Sequence, residues 1–306
     1  MAGERLRVVK QELSSATVTR EVDALIHSAA TGNEEQFRRS ASILYDRLLG
    51  PVADELALDN TLVIVPDGTL SLVPFAALID PAGRYVVERR PVVVTPSVAV
   101  FSRTAARKQQ FGRASRLLMI AGPAAREGDI RTLNAEQREI DSIVAEYGSN
   151  VDHARTSPVD QVLQRDALGV NVIHFVGHAL LPDQDSGAAL VTSRRDRLDV
   201  REIAAMRFRN VGLVVLAACG TARGHGRAGE PSISVARAFL AAGVPSVVAT
   251  LWPIEDTPAA EFFPRFHHYL VRGLPPAEAL RAVQLEWIRR HDGSPGVWAA
   301  VQMIGT

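Results

Sequence analysis

Two apolar runs that do not alternate with polar residues constrain the fold more than any other feature of this sequence. One run spans residues 211–218 and ends at Cys219, and the other spans residues 172–176 and ends at Gly177 and His178. Both are short, rich in β-branched residues and closed by glycine, which is typical of strands buried on both faces. The pattern therefore predicts central strands of a parallel sheet that is covered by helices on both sides.

Further apolar runs extend this α/β pattern along the chain. Residues 61–65, 116–121 and 244–251 each form a run that stops within two residues of a glycine or proline. Segments with helical spacing lie between or after these runs, at 98–108, 134–147, 234–242, 258–272 and 276–290. Alternating strands and helices predict an α/β fold, namely a three-layer α/β/α sandwich with a mainly parallel sheet.

The opening of the chain is less informative than the rest. Residues 4–10 are compatible with a short strand, and helical spacing follows up to residue 58. We predict that residues 1–58 form a lead-in packed on or preceding the core, and that residues 59–306 form one domain. Because the pattern begins without a clear cap, we also expect the chain to be a piece of a larger protein.

Composition excludes several classes of function. Acidic and basic residues balance at 34 each, so no net charge favours nucleic acid or a membrane surface as a partner. No apolar run approaches the ~18 residues that span a bilayer, and the start lacks a signal-peptide core, so we expect a cytoplasmic protein. No Cys or His cluster has metal-ligand spacing, so we expect neither a metal nor a cofactor.

The only cysteine and one histidine stand where chemistry is expected. Loops at the carboxyl ends of parallel strands converge on one crevice, so Cys219 and His178 are predicted to meet there. An imidazole that shares a thiol's proton makes the thiol a competent nucleophile. The alternative is that Cys219 packs as a small apolar side chain, as most unpaired cysteines do. Its place at the end of a run, directly before Gly220, favours the sheet edge.

Four further histidines are not interpreted as catalytic. His174 lies inside an apolar run and is predicted to be a satisfied core histidine. His225 lies in a glycine-containing loop and is expected to be solvated. His267 and His268 are adjacent rather than four residues apart, so they do not form a helical metal pair.

Three motifs in a fixed order resemble a known family. They are residues 173–178, 216–221 and 247–256, and the segments 63–68, 73–78 and 297–300 add to them. Together they resemble the CHAT domain, a caspase-like module often found with TPR repeats in bacteria. The resemblance covers residues 60–306. It implies a caspase-like fold, a thiol protease related to separases, and a sensor or regulatory partner such as TPR repeats.

The resemblance also assigns roles at the site. Cys219 would attack the scissile carbonyl, and His178 would polarise that carbonyl or protonate the leaving amine. Backbone amides of Gly177, Ala179 and Cys219 would form the oxyanion hole. Caspase-like sites usually have glycine after the histidine, whereas alanine stands at 179 here. The amide donor survives that difference, and strain would follow only from a positive φ.

Two residues of the third motif are candidates for substrate binding. Separases share the Leu-Trp-x-x-x-Asp pattern, and that resemblance implies that Asp256 receives a substrate Arg or Lys. The alternative for Asp256 is the N-cap of the following helix. Trp252 is expected either to wall the substrate cleft or to pack in the core.

A polar loop over residues 124–132 is predicted to overhang the crevice. Asp129 and Glu127 are further candidates for binding a basic substrate residue. Arg126 and Arg131 in the same loop would favour an acidic substrate residue instead. The loop therefore leaves both specificities open.

These features together predict a cysteine endopeptidase that cleaves a specific protein partner after Arg or Lys, under the control of another domain or protein. The alternative is a catalytically silent module that keeps the fold to bind a partner. A nucleotide-binding α/β domain is disfavoured, because no glycine-rich phosphate loop follows the first strand.

Overall fold

The computed structural model describes residues 6–11, 14–57, 60–107, 109–122, 135–154, 159, 163, 169–180, 187–192, 197–223, 234–290 and 294–306. The strands are β1 (Leu62–Ile64), β2 (Val92–Val94), β3 (Leu117–Ala121), β4 (Val151–Ala154), β5 (Val172–Val176), β6 (Ala179–Leu180), β7 (Ala189–Val191), β8 (Arg197–Asp199), β9 (Leu213–Ala217), β10 (Ser246–Thr250) and β11 (Val301–Gly305).

The helices are α1 (Ser15–Thr31), α2 (Glu34–Leu48), α3 (Val86–Arg89), α4 (Val98–Ala105), α5 (Glu136–Tyr147), α6 (Val200–Ala205), α7 (Val235–Ala241), α8 (Asp256–Val271), α9 (Pro276–Arg289) and α10 (Pro295–Trp298). Short 3₁₀ turns span Gly50–Val52, Glu55–Ala57, Gly68–Leu72 and Phe75–Ala77. Within the described part of the chain, no helix has both the length and the apolar character needed to cross a bilayer.

One eight-stranded sheet forms the middle of the molecule. Its strand order is β1-β2-β11-β10-β9-β5-β3-β4. The described strands pair in parallel throughout this sheet, except that β10 and β11 are antiparallel. The two non-alternating apolar runs, residues 172–176 and 211–218, contain the neighbouring central strands β5 and β9. The prediction of a mainly parallel sheet is confirmed.

Helices cover both faces of the sheet because successive side chains of a buried strand point to opposite faces. On one face the strands pack against α1, α2, α5, α8 and α9. On the other face they pack against α6 and α7, joined by Val100 of α4. Within β5, Val172 and Val176 belong to the first cluster, whereas Ile173 and Phe175 belong to the second. The three-layer sandwich is therefore confirmed.

The first two helices belong to the first of these cores. Ser14 caps α1 by accepting a hydrogen bond from the Thr17 N–H at 3.1 Å, and α1 ends at Gly32 with φ 71°. Leu25 and Phe37 are fully buried in that core. Residues 6–11 have no regular secondary structure, so the described part of the predicted strand over residues 4–10 does not form.

A small second sheet follows β5 directly. Strands β6, β7 and β8 pair antiparallel in that order. Strand β7 is the middle strand of this sheet. This sheet matters for the site because β6 begins one residue after His178.

Candidate active site

The register of β5 and β9 places the candidate dyad. These strands pair in parallel with Val176 opposite Ala217, and the Gly177 N–H donates to the Ala217 carbonyl at 3.3 Å, which extends the ladder by one residue. His178 and Cys219 each lie two residues beyond that pair. The register therefore places both residues at the carboxyl edge of the sheet, directly after neighbouring strands. Both are half-buried.

The turn that carries Cys219 is fixed by the end of β10. Gly220 adopts φ 64°, a conformation that favours glycine, and its N–H donates to Thr250 Oγ1 at 2.9 Å. The Thr250 hydroxyl in turn donates to the Ala218 carbonyl at 2.8 Å, and Thr221 Oγ1 accepts the Thr250 N–H at 3.3 Å. Both threonines are buried. These bonds hold Cys219 at the apex of a clamped turn.

Two glycines position the segment that carries His178. A Cβ on Gly177 would lie 3.1 Å from Gly122 Cα and 3.2 Å from the Phe175 ring. The Gly122 N–H donates to the Val176 carbonyl at 2.7 Å, so the two backbones approach closely. A side chain at either glycine would separate the ends of β3 and β5. The close approach thus fixes the backbone position of the residue that precedes His178.

Backbone amides beside His178 have distinct orientations. The Val191 N–H donates to the His178 carbonyl at 2.9 Å, so the next antiparallel pair, Ala179 with Leu190, is a pair without mutual hydrogen bonds. The Ala179 N–H therefore points away from β7. Ala179 does not adopt a positive φ, so alanine after the histidine is unstrained. The Gly177 N–H, in contrast, is already engaged with Ala217.

A cleft opens beside Cys219. It holds about 430 Å³ of empty space, counting the part open to solvent. Its lining residues are Glu136, Glu139, Val176, Gly177, Ala217, Ala218, Cys219, Thr250, Ile254, Asp256, Ala259 and Phe263. Among these described residues three are acidic, two from α5 and one from α8, and none is basic. The cleft can therefore complement a cation close to the thiol.

The structure distinguishes the two interpretations of Asp256. Helix α8 begins at Asp256, and the residue in the N-cap position is Glu255, whose side chain forms no capping bond. Asp256 therefore occupies the first turn rather than the cap. A carboxylate there is favoured by the helix dipole. Its side chain contributes to the cleft lining.

Trp252 packs in the core rather than against the cleft. Its exposed fraction is 2%, and its Nε1 donates to the Gly296 carbonyl at 2.8 Å. This indole anchors α10 to the end of β10. The expectation that Trp252 binds substrate is replaced by the packing alternative, because the ring is covered on all sides.

Several predicted site residues lie outside the described residues. They are the loop residues Arg126, Glu127, Asp129 and Arg131, together with His225. Among the described residues, no group of three or more His, Cys, Asp or Glu side chains is arranged to hold a metal ion.

A buried polar chain, here called the relay, was not foreseen from the sequence. His174 Nε2 lies 3.0 Å from Glu139 Oε1, and His174 Nδ1 lies 2.9 Å from His267 Nε2. His267 Nδ1 lies 2.9 Å from the Tyr147 hydroxyl oxygen. His174 is thus a satisfied core histidine, as predicted, but its partners come from α5 and α8. Amphipathic spacing of α5, with Glu139 beside Ile140 and Ile143, was the available signal for a buried carboxyl.

Burial controls the protonation of this relay. Loss of hydration, and secondly the nearby Asp256 charge, raises the pKa of Glu139 to about 8. Burial lowers the pKa of His174 to about 3. Burial, followed by the neighbouring His174, lowers the pKa of His267 well below its usual value. At neutral pH burial therefore favours a protonated Glu139 beside two neutral imidazoles.

Comparison with known proteins identifies the fold and the family. The sequence model of the CHAT domain matches residues 38–306. Tetratricopeptide repeat protein 28 of Mus musculus is 30% identical over 162 residues, which are 52% of this chain and 6% of that protein.

Two solved structures share the architecture. One is the Saccharomyces cerevisiae separase–securin complex, with TM-score 0.59, 15% identity, and coverage of 79% of this chain and 15% of that chain. The other is a structure described as a protease, with TM-score 0.52, 10% identity, and coverage of 89% and 68%. The chain thus spans a small part of the length of tetratricopeptide repeat protein 28 and of separase. The strand order, the two helical layers and the sequence match lead to one conclusion: the chain belongs to the CHAT domain family and has a caspase-like fold.

Proposed function

We propose that this CHAT domain is a cysteine endopeptidase that uses Cys219 and His178 to cleave a protein partner after Arg or Lys. One observation carries the proposal. Cys219 and His178 occupy equivalent positions beyond the paired strands β9 and β5, and Cys219 lines a cleft that also holds three carboxyl side chains. A thiol, an imidazole and a cation-binding wall are the parts that such a reaction needs.

The reaction follows from these positions. The Cys219 thiolate attacks the scissile carbonyl carbon, forming a C–S bond, while the carbonyl oxygen gains negative charge. The Ala179 and Cys219 amides are the proposed donors to that oxygen. The C–N bond then breaks as His178 gives a proton to the leaving amine. Water hydrolyses the thioester, which releases the carboxylic acid and restores the thiol.

Charge in the cleft supports a basic specificity. Asp256 contributes to the wall from the first turn of α8, with Glu136 and Glu139 on α5. A guanidinium or ammonium group would form charge-assisted hydrogen bonds there, whereas an acidic side chain would meet like charge. Asp129 and Glu127, in the loop over residues 124–132, are proposed as further carboxylates that bind the basic substrate residue. Arg126 and Arg131 would have to enter the cleft to reverse this preference.

Relatives support a regulated role. The matched curated protein carries tetratricopeptide repeats in its name, and the separase chain was solved in complex with securin. We infer that this domain acts with a sensor or regulatory partner, such as TPR repeats. We further propose that residues 1–58 form a lead-in to the peptidase domain, since α1 and α2 pack into its core.

Cleavage of a peptide library by the purified chain tests the proposal. Cys219→Ala and His178→Ala serve as the dyad variants, and His153→Ala, an exposed histidine on β4, serves as the matched control. Labelling with an arginyl and an aspartyl electrophile runs in parallel. We expect cleavage after Arg or Lys that is lost in both dyad variants and retained in the control.

Other outcomes would revise the proposal in defined ways. Cleavage after Asp would support the dyad and transfer specificity to Arg126 or Arg131. No cleavage and no labelling, with a candidate regulatory partner also present, would indicate a catalytically silent interaction module.

A further inference from the structure

The relay connects the cleft with the core. Its four members come from three elements: Glu139 and Tyr147 from α5, His174 from β5 and His267 from α8. None is more than 4% exposed. Burying four polar side chains is costly unless each is hydrogen-bonded. The relay meets that condition and ends at a carboxyl group that lines the cleft.

The spacing of the atoms allows two complete proton arrangements. When Glu139 is protonated, it donates to His174 Nε2, His174 Nδ1–H donates to His267 Nε2, and His267 Nδ1–H donates to Tyr147. When Glu139 is ionised, all three bonds reverse, and every donor points toward the carboxylate. Both arrangements keep the histidines neutral and leave no bond of the chain unmade. The relay can therefore support either charge state of Glu139.

We propose that Glu139 is a second specificity-determining carboxylate, which binds the substrate's basic side chain together with Asp256, and that His174, His267 and Tyr147 are positioning residues that hold it. This inference takes its substrate class from the proposed function. Its geometric basis is that Glu139 lines the same cleft as Cys219 and is oriented from behind by His174.

Binding of a cation should then release a proton. The titratable groups around Glu139 are of three kinds. Glu136, Asp256 and Cys219 line the same cleft, His174 is its hydrogen-bond partner, and His267 is bonded to His174 in turn. Burial and the Asp256 charge favour the protonated form of Glu139. An entering guanidinium supplies the opposite charge, so Glu139 ionises and the relay reverses.

Calorimetric binding of agmatine, a guanidinium compound, to the full chain carrying Cys219→Ala tests this without requiring cleavage. Titration at pH 7 in two buffers with different ionisation enthalpies counts protons. We expect release of about one proton per agmatine. Glu139→Gln should weaken binding at least 10-fold and abolish the release. Asp141→Asn, an exposed acid on the same helix, is the matched control and should change neither quantity.

His174→Phe separates positioning from a merely structural role. The substitution removes the hydrogen-bond partner of Glu139 while keeping an aromatic ring of similar size. Because charge-assisted bonds are the stronger ones, the ionised carboxylate loses more than the protonated one. Agmatine binding should therefore weaken at pH 7 and recover at higher pH. Equal weakening at every pH would overturn the positioning role.

Cleavage assays distinguish a failure of this inference from a failure of the proposed function. Peptides with arginine or its neutral isostere citrulline before the scissile bond are compared. If wild-type chain prefers arginine and Glu139→Gln keeps that preference, the inference fails and the proposed function stands. If agmatine binding depends on Glu139 but no peptide is cleaved, the cation site stands and the peptidase fails. Absence of agmatine binding at every pH would overturn the inference.

Discussion

The two faces of the central sheet differ in what they bury, although the same strands build both. Strand β5 sends Ile173 and Phe175 to one face, where their neighbours include Val214 and Leu216. It sends His174 to the other face, where the imidazole meets Glu139 and His267. One face, here called the apolar face, is packed by α6 and α7. The other, here called the relay face, is packed by α5 and α8 in this region.

The two faces therefore differ in their contribution to stability and in their content of titratable groups. Apolar burial is the main favourable term in folding and has no charge to titrate. Buried titratable groups add little net stability, and their charge states depend on pH. Since the relay face is the one that reaches Cys219, the sheet concentrates its costly groups where a proposed substrate would enter.

Truncation of a side chain on the apolar face should cause the largest loss in the free energy of unfolding. Phe239 of α7 is 1% exposed, and Phe239→Ala should lower the free energy of unfolding by about 3–5 kcal/mol, through lost burial and a residual cavity. Urea denaturation measures the loss. Because no titratable group is removed, the loss should be the same at pH 6 and pH 8. A loss that changed with pH would break the contrast between the faces.

Thr250 lies at the end of β10, where the nucleophile turn is clamped. Thr250→Val keeps the side-chain shape but removes the acceptor of the Gly220 N–H and the donor to the Ala218 carbonyl. Leaving such buried groups unbonded should cost about 1–3 kcal/mol. Cleavage should fall as well, because the Cys219 turn is no longer fixed. Thr250→Ser restores the hydroxyl and should recover most of both quantities.

Glu139 on the relay face should make the free energy of unfolding depend on pH at neutral to alkaline pH. Its pKa rises from 4.5 in the unfolded chain to about 8 in the folded chain, so the folded state binds the extra proton in this range. Its contribution to stability is complete below pH 4.5 and is lost as pH rises through about 8. Above pH 6.5 the slope is at most about 1.4 kcal/mol per pH unit.

Comparison of Glu139→Gln with wild-type chain isolates that slope. The difference in unfolding free energy between the two proteins should change steadily from pH 6.5 to 8 and then level off. Asp141→Asn provides the exposed control. Parallel curves for Glu139→Gln and wild type would show that the relay face is as insensitive to pH as the apolar face.

Tyr147→Phe should have the smallest effect. The substitution removes one hydroxyl, 2.9 Å from His267 Nδ1, and keeps the buried ring. The expected loss is about 1 kcal/mol, the usual contribution of one hydrogen bond. Tyr45→Phe is the matched control, because the described residues provide no hydrogen bond to the Tyr45 hydroxyl. Equal losses in the two variants would argue that the relay does not extend to Tyr147.

Much of the fold could be predicted because its signals are local. Hydrophobicity without alternation, followed by a glycine, identified β5 and β9, and the observed strands fall within the predicted runs. Caps and breakers placed most helices within a few residues of their observed ends. Residues 6–11 failed as a strand because a short apolar pattern forms one only with a pairing partner.

The site was predictable only in part. The rule that parallel strand ends converge placed Cys219 and His178 at one edge of the sheet before the register was known. It carried no information on side-chain direction in the segment after β10, so it could not show that Trp252 turns into the core. Nor could it show that Glu139 turns toward the cleft. His267 was considered only as a metal ligand, because its hydrogen-bond partner His174 is 93 residues away.

Hydrophobicity and chain breakers act over a few residues, so they specify from the sequence which segments are buried strands and that Cys219 and His178 follow two of them. What lies opposite the thiol depends instead on tertiary packing. Helices α5 and α8 pack against each other on one face of the sheet. That packing brings Glu139 and Asp256 to one cleft and completes the relay, and it depends on contacts between residues more than a hundred positions apart.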